Sequence, residues 1–353
     1  MSDRDPVKGQ GAQFNTHNPF LSVRYVKEHM EGLDEEETIN PKTEFLTETP
    51  RKIVNKVTSP DIGHALSMNP YQGCEHGCIY CYARNSHQYW GYSAGVDFER
   101  KIIVKPNAPE LLEKQLKSKS WKVSPIMLSG NTDCYQPIER KTKLTRRMLE
   151  VLLKHRHPVG IITKNALILR DLDLLTELNK HNLVHVNISL TTVDEDLRRR
   201  MEPRTASAKR RLEVVSTLTS NNIPVNVMVA PVIPGLNSHE IPELVKAAAD
   251  HGAQSAAYIM VRLNGSIKDL FEDWVQQHFP DRAEKVLNQV RACHGGQLND
   301  SRWGKRMKGD GPVAVSIANL FAVARRKHMA GRKMKPLNVS AFRNRGLDQL
   351  ELF

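Results

Sequence analysis

From about residue 64 to residue 265 the chain repeats one rhythm: a short apolar run, a polar break, a helical pattern. The runs fall at 65–70, 125–128, 159–163, 184–190, 225–230 and 256–261, several of them rich in Val and Ile. Such runs read as parallel strands buried on both faces. Between them Leu144, Met148, Val151 and Leu152 share one helical face, as do Leu212, Val215 and Leu218, and Ile241, Leu244, Val245 and Ala248. These spacings predict helices over 144–155, 205–220 and 239–251. Six strands alternating with helices make βαβ units, an α/β fold with a parallel sheet. Right-handed crossovers wind such units into an open doubly wound sheet or a barrel, and pattern alone does not choose.

The flanks break the rhythm. Residues 1–60 are polar, carry the acidic run Asp34, Glu35, Glu36, Glu37, and read as an extension that wraps the core or stays partly mobile. After 265 the pattern is helical over 274–293 and over 313–330, where Val313, Ile317, Leu320 and Ala324 align and Gly331 suits a C-terminal cap. The expected division is an extension over 1–60, a βα core over 61–265 and a helical basic region over 266–353. No stretch approaches the ~18 apolar residues of a membrane span. The start, MSDRDPVKGQG, shows no apolar run of a secretory signal, so a cytoplasmic location is expected.

The formal charge is +12, and its distribution is uneven. Between Arg302 and Arg345 stand twelve Lys or Arg against one acid, Asp310. A basic block of this kind suits a polyanion, usually nucleic acid; the plainer reading is a solvated helix face.

Three of the five cysteines fall within eight residues, in Asn69-Pro-Tyr-Gln-Gly-Cys74-Glu-His-Gly-Cys78-Ile-Tyr-Cys81-Tyr-Ala-Arg84. This is no disulfide framework; clustered thiols in a reducing compartment point to metal or redox chemistry. Thiolates are the usual ligands of iron–sulfur clusters. Three of them on a four-iron cube leave one iron open, as catalysis at a metal requires. Gly73 and Gly77 let the backbone curl around a compact group. The run follows the first predicted strand, so it sits at the end of a parallel sheet where α/β enzymes place their sites. Zinc held by these cysteines with His76 or a distant ligand is the competing reading, although structural zinc normally uses a second Cys or His pair.

Cys-x3-Cys-x2-Cys with the aromatic Tyr80 before its last cysteine resembles the signature of the radical S-adenosylmethionine (radical SAM) superfamily. The wider run is similar to a bacterial branch related to spore photoproduct lyase, a DNA-repair enzyme, and the likeness extends from about residue 50 to the end. The resemblance implies a partial (βα)6 barrel of the TIM type and a [4Fe-4S] cluster on Cys74, Cys78 and Cys81. It further implies SAM chelated at the fourth iron, a reducing partner such as flavodoxin or ferredoxin, and cleavage of SAM to a 5′-deoxyadenosyl radical that takes a substrate hydrogen.

Carried along the chain, the resemblance implies SAM contacts at Tyr80, at Gly130 and Thr132 after strand two, and at Lys164 after strand three, where Asn165 replaces an expected serine. It implies further contacts at Ser189, two residues before Thr191 on strand four, and at Val232, in the run after strand five where adenine packs. Arg204 would hold the SAM carboxylate or a phosphate, or else pair with Glu202. His157, His185 and His251 lack ligand spacing and are expected to satisfy local hydrogen bonds. In spore photoproduct lyase a cysteine near the end of strand two quenches the product radical. Counting back from Asp133, the matching position is Gly130, so thymine-dimer chemistry does not simply transfer. Tyr80, Tyr82 and Cys134 are the candidates for a radical relay.

The expected function is therefore a radical SAM enzyme, lyase-like and acting on nucleic acid in a repair-like reaction. The alternatives are radical modification of a protein or small metabolite, and a zinc-stabilised nucleic-acid-binding module without catalysis. The last residues, Gln349, Leu350, Glu351, Leu352 and Phe353, resemble the short peptide that docks repair proteins on a sliding clamp; the plain alternative is that they complete the protein's own core.

Overall fold

The computed structural model describes residues 7–21, 42–63 and 66–344. Among the described residues ten strands run in chain order: β1 Glu44–Thr47, β2 Val54–Lys56, β3 Leu66–Met68, β4 Tyr71–Gln72, β5 Lys101–Val104, β6 Ile126–Leu128, β7 Val159–Thr163, β8 Val184–Ser189, β9 Val225–Val232 and β10 Ser255–Met260. The main sheet has the order β10-β9-β8-β7-β6-β3-β2. Its six predicted strands are all parallel, and β2 adds an antiparallel edge against β3. Among the described residues β10 pairs with no strand on its outer side, so the barrel is partial. That edge is covered instead by a loop, with Met260 N–H donating to the Met307 carbonyl at 2.9 Å. A second sheet, β1-β5-β4, had no signal in the apolar pattern.

The strands are not buried on both faces as their composition suggested. In β8, Val184, Val186 and Ile188 are buried while His185 and Asn187 are partly open; in β9, Val225, Val227 and Val229 alternate with Asn226 and Met228 in the same way. The Val face packs under the helices, and the other lines the barrel interior. There Asn226 Nδ2 donates to Asn187 Oδ1 (3.0 Å), and Asn187 Nδ2 to the Ile161 carbonyl (3.0 Å). An unclosed barrel leaves its interior wet, so that face is polar.

The helices Leu144–Lys154, Ala208–Ser220 and Ile241–Asp250 bury Met148 and Leu152, Val215 and Leu218, and Leu244 and Ala248 against the sheet. The second starts later than predicted because Ser207 caps it, its hydroxyl accepting Arg210 N–H at 3.2 Å. The predicted helix over 274–293 is two helices, Ile267–His278 and Pro280–Cys293. Pro280 cannot continue the first but suits the first turn of the second.

The helix Pro312–Met329 packs beside β10, with Phe321 against Tyr258 at 4.8 Å. It begins near the C-terminal end of β10 and finishes near its start, where Arg332 Nη1 donates to the Ala249 and Ala253 carbonyls at 2.9 and 2.8 Å. Residues 335–344 then cross the N-terminal ends of the strands. Lys335 O accepts from His185 (2.8 Å), Asn338 N–H donates to Asn182 O (2.8 Å) and Arg343 N–H to His155 O (2.8 Å). The basic block is thereby divided: 302–308 lie at the C-terminal mouth of the sheet, and Arg325, Arg326, Lys327 and the 332–343 bases near its opposite end. The residues from Gln349 to Phe353 lie outside the described residues. No described helix is long and apolar enough to cross a membrane.

Candidate active site

The cysteine loop leaves β3 at the mouth of the sheet. Gly73 and Gly77 hold φ of +79° and +68°. A Cβ on Gly77 would stand 2.8 Å from a Glu99 carboxylate oxygen, so a side chain there is strained and displaces Glu99. Cys74 and Cys78 are buried, Cys81 is partly exposed, all five cysteines are unpaired, and Cys74 lies within electrostatic reach of both Cys78 and Cys81.

Arg84, fully buried, fixes this loop from behind. Its guanidinium donates to the carbonyls of Cys78 (3.0 Å), Gly77 (3.2 Å), Ala94 (3.2 Å) and Gly95 (3.1 Å), and pairs with buried Glu99. Glu99 in turn accepts the Gly11 and Ala12 amides at 3.1 and 2.8 Å. Residues 11 and 12 are thereby held against the cysteine loop.

A second buried carboxylate, Glu202, orders the other side. It accepts from Tyr80 Oη, from Thr191 Oγ1 at 2.6 Å and from buried Arg211. Burial pushes its pKa up, but Arg211 and Lys164 outweigh it and hold Glu202 at about 2. Arg204, read as a possible partner of Glu202, makes no ion pair among the described residues; Arg211 takes that place because Ala208–Ser220 carries it onto the sheet, where it also donates to the Ser189 carbonyl at 3.0 Å.

Lys164, directly after β7, has its Nζ 5.8 Å from the Tyr80 ring centroid. Burial lowers its pKa, yet Cys78 and Glu202 hold the ammonium above its ordinary value. Asp133 is a third anchor: it accepts Thr163 Oγ1 (2.8 Å), Lys164 N–H (2.8 Å) and Tyr135 N–H (2.9 Å), with His76 Nδ1 at 3.3 Å. Burial raises its pKa, but His76 and the donated bonds bring it to about 2.

Of the residues expected at the site, Tyr80, Lys164 and Thr191 converge with Cys78 through Glu202. Ser189 is buried close by, its carbonyl accepting from Arg211. Tyr82 is half-exposed and donates to the Gly130 carbonyl. Thr132 is buried with its hydroxyl donating to the Tyr71 carbonyl at 2.8 Å, which turns it toward the loop backbone. Val232 is buried at the end of β9. Cys134 is fully buried among the apolar residues of the main core, apart from the clusters that hold Cys74, Cys78 and Cys81. His157, His185 and His251 each contact a backbone carbonyl, at 3.0, 2.8 and 2.8 Å.

Sequence reasoning missed Arg84, Glu99, Arg211 and Asp133 as the frame of the site. Arg211 left a signal, being a charge on the helical stripe of Ala208, Val215 and Leu218. Glu99 left none, since its partners lie 15 and 88 residues away.

The donor set fits an iron–sulfur cluster better than zinc. Both nitrogens of His76 are engaged, by Asp133 and by Asn165 at 3.2 Å. Among the described residues no three His, Cys, Asp or Glu stand close enough for a single ion. Burial raises the thiol pKa of Cys74 and takes Cys78 to about 12, so a bound metal's positive charge, together with Lys164, would favour the thiolates.

Residues 68–248 match the model of the radical SAM superfamily. An uncharacterised protein of Mycobacterium tuberculosis is 32% identical over 244 residues, covering 68% of this chain and 72% of that one. An uncharacterised Methanocaldococcus jannaschii protein is 29% identical over 253 residues, covering 71% and 90%. In fold the chain resembles a spore photoproduct lyase complexed with a dinucleoside spore photoproduct, with a TM-score of 0.59 at 16% identity over 81% of this chain and 80% of that one. Together with the cysteine loop at the sheet mouth, these similarities establish that the chain belongs to the radical SAM superfamily.

Proposed function

We propose that this radical SAM enzyme holds a [4Fe-4S] cluster on Cys74, Cys78 and Cys81 and acts on nucleic acid at the mouth of the partial barrel, in the cytoplasm. The observation that carries the first half is the buried three-cysteine loop braced by Arg84 and Glu99 and faced by Lys164. With an electron from a ferredoxin- or flavodoxin-type donor, such a cluster supplies the reductive cleavage of SAM to methionine and a 5′-deoxyadenosyl radical, which takes a hydrogen atom from the substrate.

The chain's own residues do the rest. Cys74, Cys78 and Cys81 would hold three irons of the cluster and leave the fourth for the SAM amino acid group, with the positive charge of Lys164 near Cys78. Glu202 fixes Tyr80, and so the turn that carries Cys78 and Cys81. Ser189 offers a hydroxyl, and Val232 an apolar surface, to the rest of SAM. Arg204, which makes no ion pair among the described residues although Glu75 lies within electrostatic reach, suits an anionic group. Gly130 has no side chain with which to quench a substrate radical, so the chemistry of spore photoproduct lyase does not simply transfer.

Anaerobic reconstitution should load about four iron and four sulfide per chain, and dithionite with SAM should yield 5′-deoxyadenosine. Cys78→Ala should lose both. Stoichiometric zinc without sulfide in anaerobically purified protein would overturn the proposal.

A further inference from the structure

The basic residues of the mouth loop are mostly neutralised within the fold. Arg302 pairs with Asp300 at 2.5 Å, Lys305 with Asp310, and Arg306 with Asp61, between β2 and β3, at 2.5 Å. One guanidinium at this rim is not. Arg262 leaves the C-terminal end of β10, its Nε is buried without a partner among the described residues, and its Nη1 meets only the Met307 sulfur at 3.6 Å. It makes no ion pair among the described residues, although Asp61, Arg306 and Tyr82 stand within electrostatic reach. Two residues on, Asn264 Oδ1 is a second polar atom buried without a partner. A guanidinium at a partly open rim whose Nε is shut from water without a partner is completed by an anion that reaches it from the open side.

Beside it lies a stacking surface. Arg306 covers one face of Trp303, its guanidinium carbon 3.8 Å from the ring centroid, and the indole is 57% exposed. Asp61 fixes Arg306, and Arg306 fixes the ring, so the indole is held in place.

We infer that Arg262 and Trp303 form a nucleotide subsite at the barrel mouth, in which Arg262 binds a phosphate of a single-stranded or extruded nucleotide and Trp303 stacks a base. The inference rests on the nucleic-acid reading above and names the element that does the binding. Tyr82, near Arg262 and bonded to the Gly130 carbonyl, joins this subsite to the cysteine loop. A strand held here lies against the site, whereas one held by Arg325, Arg326 and Lys327 would lie near the other end of the sheet.

The test uses reconstituted full-length protein and a fluorescein-labelled thymidine oligonucleotide of about twelve nucleotides. Arg262→Met should weaken binding about tenfold or more and make the log–log salt slope shallower by about 0.7, one phosphate contact. Arg262→Lys should keep the slope. Trp303→Leu, at an exposed position, should weaken binding about tenfold and abolish the quenching of tryptophan emission that oligonucleotide causes in the parent. Parent-like affinity and slope in both Arg262→Met and Trp303→Leu, with the parent binding normally, would refute the subsite and leave the nucleic-acid function standing. A parent that binds no oligonucleotide at low salt would end both.

Discussion

Glu202→Gln isolates the electrostatic frame of the site from its cofactors. Glu202 is fully buried and accepts bonds from Tyr80, Thr191 and Arg211. The amide keeps the volume and one acceptor oxygen but turns an NH2 toward donors, and it leaves the nearly buried Arg211 without a counter-charge. Removing one partner of a buried pair costs about 3–5 kcal/mol. Urea denaturation of the metal-free chain should therefore show a lower midpoint at neutral pH with an unchanged slope. The double variant with Arg211→Met should recover part of the loss, because the stranded charge is gone. The pH dependence has a fixed sign. The folded pKa of about 2 lies below the ordinary value of 4.5, so Glu202 contributes stability above that value, and the contribution fades as pH falls toward 2. The parent should lose stability between about pH 5 and pH 3 more steeply than Glu202→Gln does. A cost under about 1 kcal/mol, or identical acid limbs in the two proteins, would refute the reasoning.

Gly11→Val should detach the N-terminal segment from the cysteine loop, since a Cβ there would stand 1.8 Å from the Gly77 carbonyl; faster proteolysis near residues 7–21 and quicker iron loss to a chelator are the readouts. Arg84→Met should strand Glu99 and lower stability by about 3–5 kcal/mol, read by denaturation of the metal-free chain. Neutralising Arg325, Arg326 and Lys327 together should leave the salt slope of oligonucleotide binding unchanged, because the fold carries them away from the mouth; a slope shallower by about two would contradict that placement.

The sequence by itself determined what periodicity and local chemistry encode. Val and Ile runs broken by helical stripes demanded six parallel strands, and three cysteines with two glycines demanded a tight loop at a strand end. Those signals live within a few residues of one another, so they are legible in order along the chain. The tertiary structure decided everything that depends on partners far apart. It left the barrel open, covering the β10 edge with Met307 and so giving the strands a polar inner face. It gave Glu202 to Arg211 instead of Arg204, because the helix Ala208–Ser220 lands on β8 with that side chain inward. It also divided a contiguous basic block between the two ends of the sheet and neutralised Arg306 with Asp61, 245 residues away. Charge along a sequence is additive, but a field depends on where the helix between two charges points, and only packing sets that direction.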